Sequence, residues 1–138
     1  MLKKVACAVI LDQDEKIFVG KRLSTILGGH WEFPGGKVKT NESILQALKR
    51  EIFEELGVEV IIGQSVIEPY TYHYQFADVL LYFYFAKLKT KILRPQIYHE
   101  FFWVNQQALQ KLDWLPANQR VLAKLSEWDL SKVEYDGK

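Results

Sequence analysis

The segment Arg50-Glu51-Ile52-Phe53-Glu54-Glu55-Leu56-Gly57 constrains this chain more than any other part of it. Carboxylates spaced i, i+3 and i+4 fall on neighbouring points of one helical face, so a helix here crowds Glu51, Glu54 and Glu55 together. Like charges at these spacings weaken a helix by roughly 0.2–0.5 kcal/mol per pair. The arrangement therefore calls for a cation. Arg50 is a partial answer. A divalent metal is a fuller one, because hard oxygen donors from one or two carboxylates, completed by water and substrate phosphate, are what magnesium prefers.

The apolar positions agree with a helix. Ile44, Leu45, Leu48, Ile52 and Leu56 recur at intervals of mostly three and four, which predicts a helix over about 43–56 with the acidic trio at the edge of its buried stripe. Thr40 or Asn41 is expected to cap it, Glu42 to lie in its first turn, and Gly57 to take the left-handed C-terminal position. Strands are expected at 5–11 and 17–19, joined by the polar turn 12–16, and again from 58–62, where β-branched residues return. Residues 24–30 read as a loop, and Pro34 ends regular pairing after Trp31. Further on, 66–74, 78–88 and 101–104 read as strands, and 105–112 and 118–128 as helices.

A length of 138 residues with 49% apolar and 14% aromatic content fits one well-filled domain, 1–138. A net charge of +1 gives no global signature for a nucleic acid polymer or a membrane surface, so any attraction for phosphates must be local. The single cysteine, Cys7, has no internal disulfide partner and reads as an inert thiol in an apolar run. No run approaches the ~20 apolar residues of a membrane span. Met1-Leu2-Lys3-Lys4 leads into a strand rather than a signal peptide. The expectation is a soluble, cytoplasmic protein, monomeric or weakly dimeric.

From Gly36, five residues lead to Glu42 and seven more to Arg50, followed by Glu51-Ile52-Phe53-Glu54-Glu55-Leu56-Gly57-Val58. This resembles the Nudix box without a mismatch, nine specified positions over twenty-three residues. A glutamate-rich helix is ordinarily a solvated face, but the flanking glycines and complete spacing argue against that here. The resemblance implies an α/β fold, a Nudix α/β/α sandwich with a mixed β-sheet and a loop-helix-loop catalytic motif. It also implies hydrolysis of a nucleoside diphosphate linked to another group, with Mg2+ or Mn2+. By the same resemblance Glu54 and Glu55 are the principal metal-binding pair, and the Gly35 carbonyl is a further ligand. Glu51 either binds metal or helps orient and deprotonate water, and both roles stay open. Arg50 is placed to pair with and orient a glutamate of the catalytic unit, and Glu42 to stabilise the loop.

Outside the box, Trp31-Glu32-Phe33-Pro34-Gly35-Gly36-Lys37 and Leu115-Pro116-Ala117-Asn118 resemble stretches of the MutT-type pyrophosphohydrolases, which remove oxidised guanine nucleotides such as 8-oxo-dGTP from the pool. That resemblance implies that Asn118 reads the base edge, Glu100 joins the metal site, Arg22 and Lys37 contact the nucleotide, and Phe33 lines the base pocket. Asn118 is equally suited to capping a helix, Arg22 to being a solvated cation, and Phe33 to being core. Tyr72, Tyr74 and Phe76 alternate, which fits a stacking surface or an ordinary sheet face. The pattern departs from the MutT group near Ala77, where a basic residue is expected close to the base. Cytidine or other nucleoside triphosphates, dinucleoside polyphosphates and nucleotide sugars therefore stay open as substrates. A non-catalytic nucleotide-sensing module is disfavoured, because its sign would be missing box glutamates. His30, His73 and His99 show no paired metal-ligand spacing.

Overall fold

A computed structural model of the chain describes residues 2–22, 29–90, 94–95 and 97–135, the side chains of Arg22 and His99 excepted. Strand β1 (Leu2–Ile10) is followed by β2 (Ile17–Arg22), β3 (Trp31–Glu32), β4 (Gly35–Lys37), helix α1 (Ile44–Leu56), β5 (Val60–His73), β6 (Asp78–Leu88), β7 (Tyr98–Val104) and helix α2 (Gln119–Leu125). Among the described residues β4, β1, β6 and β5 form one sheet in that order, parallel between β1 and β6 and antiparallel elsewhere; β3, β2 and β7 form a second, antiparallel sheet.

The mixed sheet is apolar on both faces because its central strands lie between helices. Along β1, Ala6, Ala8 and Ile10 meet Leu48, Ile52 and Leu56 of α1, while Val9, and Leu11 just past the strand, belong to a second cluster with Val121, Leu122 and Leu125 of α2. Along β6, Val79, Leu81, Phe83 and Phe85 alternate toward the α2 side. Leu48, Ile52 and Leu56 are fully buried, worth roughly 1.5–3 kcal/mol each. The result is the α/β/α sandwich with a mixed sheet.

Helix α1 corrects the expected N-terminus. Its cap is Ser43, whose side chain accepts from the Gln46 amide while the Gln46 side chain accepts from the Ser43 amide, a reciprocal capping box. Thr40 and Asn41 precede it, Asn41 in a left-handed turn conformation at φ 71°. Leu45 is exposed and Ala47 takes its place in the core. Gly57 ends the helix as expected, left-handed at φ 68° with its amide on the Phe53 carbonyl.

The strands expected at 58–62 and 66–74 are one edge strand, β5, with register shifts at 62/65, 65/67 and 67/70. Its polar interruption is an accommodation: a Cβ on Gly63 would lie 2.9 Å from the Glu134 carbonyl oxygen, which accepts from Gln64 N. Residues 106–111 are a 3-10 helix rather than an α-helix. Among the described residues no helix is long and apolar enough to cross a membrane.

Candidate active site

The edge strand β4 runs against β1, with Gly36 opposite Ala6 and Gly35 opposite Cys7. Gly35 has φ 150°, and a Cβ there would lie 2.1 Å from the Ala6 carbonyl oxygen, so only glycine lets this strand lie so close to β1. A Cβ on Gly36 would lie 2.5 Å from Glu51 Cδ. Glu55, 5% exposed, accepts from Gly35 N at 3.2 Å through Oε1. Two successive glycines thus bring two carboxylates of α1 against the backbone of the preceding loop.

Arg50 gathers the rest. Its Nε and Nη2 donate to the two oxygens of Glu42 at 2.6 and 3.0 Å, Nη1 to Glu51 Oε2 at 2.9 Å and Glu54 Oε1 at 3.2 Å, and Nη2 also to the Lys37 carbonyl at 3.1 Å. The planar fork matches Glu42 bidentately while its outer edge holds the helix glutamates. The bond to Glu42 pushes the guanidinium further up. Arg50, joined by the Lys39 amide, holds the Glu42 carboxyl down to about 2. Glu42 therefore lies ahead of the helix and braces the loop.

A carboxyl whose folded pKa is depressed contributes stability above its unfolded value and loses it as pH falls through the folded one. From the ordinary 4.5 to about 2, the protein should lose stability with acid. Denaturant unfolding followed across that window should show a shallower acid loss in Glu42→Gln than in the parent; equal slopes would contradict the clamp.

The donor types here suit a hard divalent cation: Glu51 and Glu55 lie against the glycine loop, and Glu54 and the Gly35 carbonyl are further oxygen donors on the same helix and loop. Glu51 and Glu54 each lend an oxygen to Arg50, which offsets their repulsion. Among the described residues no three His, Cys, Asp or Glu side chains stand within metal-holding distance. Glu54 is the most open of the trio, its side chain 55% exposed.

The remaining sequence-derived candidates are only partly assembled. Glu100 stands apart: its carboxylate lies 3.9 Å from Lys21 Nζ, which also sits over the Trp31 ring. Lys21 and Glu100 are direct cross-strand partners, and a β-bulge follows them: Arg22 pairs with Tyr98, leaving His99 extra. Phe33 takes the core placement, the other of its two readings. Its ring is 3% exposed, 4.7 Å from Trp114 and 6.1 Å from Phe83, so it fills the core and offers no open stacking face. Lys37 is exposed on β4. Asn118 is half-buried at the end of a 3-10 turn and makes no side-chain capping bond. The preceding Ala117 carbonyl accepts from Tyr70 Oη at 2.6 Å, and burial pushes that phenol up to about 12. Arg22 ends β2, but its side chain, like that of His99, lies outside the described residues. Tyr72, Tyr74 and Phe76 form a ladder with ring spacings of 4.8 and 4.9 Å, and Phe76 is 61% exposed.

Two residues at the site were given no role from the sequence, although Glu32 lies within the quoted MutT-like stretch. Tyr98 Oη donates toward Glu55 Oε1 at 3.0 Å and lies 3.2 Å from Glu32 Oε2. Glu32 stands inside the Trp31–Lys37 stretch, where nothing local marks it apart. Only the register of β7 on β2 brings Tyr98 over α1.

A model of the NUDIX domain matches residues 1–127. The chain belongs to the Nudix family. The 8-oxo-dGTP diphosphatase of Haemophilus influenzae is 32% identical over 123 residues, covering 88% of this Nudix chain and 90% of that one. A CTP pyrophosphohydrolase of Escherichia coli K12 is 47% identical over 60 residues, covering 43% of this chain and only 44% of that one. Among solved structures, the DNA mismatch repair protein MutT of methicillin-resistant Staphylococcus aureus 252 is 33% identical with a TM-score of 0.73, covering 92% of this chain and 97% of that one. This is a MutT-type Nudix hydrolase, an enzyme acting on pyrophosphate bonds of nucleotides.

Proposed function

We propose that the chain, acting as a single domain over 1–138 in the cytoplasm, is a Mg2+-dependent nucleoside triphosphate pyrophosphohydrolase that takes oxidised purine nucleotides such as 8-oxo-dGTP. Water adds to phosphorus, an anhydride P–O bond breaks, and nucleoside monophosphate and pyrophosphate leave. The observation that carries the reading is that Glu51 and Glu55 lie against the Gly35–Gly36 loop while Arg50, bonded to the Lys37 carbonyl, also holds Glu51 and Glu54 of the helix.

Glu54, Glu55 and the Gly35 carbonyl would hold the metal, with Mn2+ an alternative, and Glu51 would share it or act on water. The bound ion supplies charge neutralisation at the phosphates and a lowered pKa for water. Glu51, against Gly36 and pinned by one oxygen to Arg50, is set to orient the attacking water and accept its proton. Arg50 keeps both carboxylates aimed at the loop. Glu100 would join only on release from Lys21. Lys37 and Arg22 supply positive charge for phosphates, and Asn118 offers a donor and an acceptor to a purine edge. The Tyr70 bond to Ala117 fixes the turn that carries Asn118. Removing such nucleotides before polymerisation is a DNA-repair role.

The similarity to a CTP pyrophosphohydrolase supports a second reading, in which cytidine triphosphate is preferred. Incubating the protein and Mg2+ with 8-oxo-dGTP, dGTP, CTP, diadenosine polyphosphates and nucleotide sugars, and identifying the phosphorus products, separates the two. The expected result is monophosphate plus pyrophosphate, fastest from 8-oxo-dGTP. Fastest turnover of CTP would move the assignment to the second reading, and release of inorganic phosphate alone would contradict both.

A further inference from the structure

We propose that Tyr98 is a positioning residue for the metal centre: its hydroxyl, bridging toward Glu55 and Glu32, fixes the direction in which the buried Glu55 carboxylate presents its oxygens. The inference rests on the reading of Glu55 as a metal ligand. Tyr98 is 8% exposed and its ring is held on two sides. Phe18 meets it edge-on at 5.9 Å. Gly20 lies flat beneath it, so close that a Cβ there would be 2.5 Å from Tyr98 Cδ1. A side chain in such a slot has little freedom to swing, and its hydroxyl is a fixed point.

The bulge in β7 is what delivers it. In an unbroken strand, residues two apart face the same side, and Tyr98 would follow Glu100 toward Lys21 and Trp31. With His99 inserted between the Lys21 and Arg22 pairings, Tyr98 instead joins the cluster of Phe18, Leu48, Ile52 and Leu56 beneath α1. There it meets Glu55 Oε1, the oxygen that also accepts from Gly35 N. Phenol and amide together constrain one oxygen of Glu55 from two directions, which fixes the plane of the carboxylate. Outer-shell partners of this kind orient ligating carboxylates, and their loss costs about 10–100-fold in metal affinity or activity.

The test uses Tyr98→Phe, which keeps the ring in its slot and removes only the hydroxyl, with Gly20→Ala as a second route that displaces the ring. Mn2+ binding is read by the electron paramagnetic resonance signal of free Mn2+, without substrate. Alongside it are read the Mg2+ concentration for half-maximal rate, the KM for nucleotide at saturating metal, and the melting temperature. The expected result for Tyr98→Phe is Mn2+ binding weakened about 10-fold and the Mg2+ requirement raised by the same factor, with KM and melting temperature close to the parent's. Gly20→Ala should weaken Mn2+ binding in the same direction. Parent-like Mn2+ binding by Tyr98→Phe would overturn the positioning role while leaving the proposed hydrolase intact, and so would a loss of metal affinity matched by equal changes in KM and melting temperature, the mark of general loosening. A parent protein that binds no Mn2+ would overturn the metal-site reading and this inference together.

Discussion

Replacing Glu54 by Gln should lower turnover by more than about 100-fold while leaving the fold unchanged, since even outer-shell partners of a metal cost about 10–100-fold. The asymmetry follows from where Glu54 stands. Its side chain is 55% exposed, and among the described residues it makes a 3.2 Å contact with Arg50 Nη1, an i,i+4 pair worth roughly 0.3–0.5 kcal/mol at a surface. Arg50 keeps Glu42, Glu51 and the Lys37 carbonyl without it. A residue so cheap to fold yet so costly to chemistry is a ligand rather than a brace. Steady-state turnover beside urea unfolding checks this, and near-native turnover in the variant would remove Glu54 from the metal site.

The second large effect separates the two glycines of the loop. Gly35→Ala places a methyl 2.1 Å from the Ala6 carbonyl oxygen at φ 150°, so backbone must move against backbone. We expect a loss of at least about 2 kcal/mol in stability and nearly all activity, because the Gly35 amide leaves Glu55 as the loop shifts. Gly36→Ala places a methyl 2.5 Å from Glu51 Cδ, and a side chain can swing where a strand cannot. Its stability should fall by about 1 kcal/mol or less, while turnover drops because Glu51 is turned from the loop. Unfolding and turnover measured on both variants would show the two quantities parting at position 36 and falling together at position 35. Wild-type turnover in Gly36→Ala would contradict the placement of Glu51.

What could be read from the chain alone was whatever is written locally. The helix from its apolar spacing, its Gly57 stop and the edge-of-core position of the glutamates all follow from residues within one or two turns of each other, and the structure agrees. The N-cap was misplaced because Thr40, Asn41 and Ser43 are all competent caps, and only Gln46 at the third helical position selects Ser43. Phe33 stayed open between pocket and core because a motif gives neighbours in sequence and not depth; Trp114, far along the chain, packs on its ring. Tyr98 reaches Glu55 for a reason no spacing shows. One inserted residue in the pairing of β7 with β2 turns Tyr98 to the face opposite Glu100 and so toward α1. The likeness of β5 to two strands has the same origin, since its bulges bind distant segments that a local reading cannot see.

The central claim, that three glutamates on one helix act through a divalent ion held at a glycine loop, is met most directly by one measurement. Pyrophosphate release from 8-oxo-dGTP is followed before chelation, after exhaustive chelation, and after Mg2+ is returned. Release should stop on chelation and recover with Mg2+, whereas undiminished release from the chelated protein would contradict a metal-dependent centre.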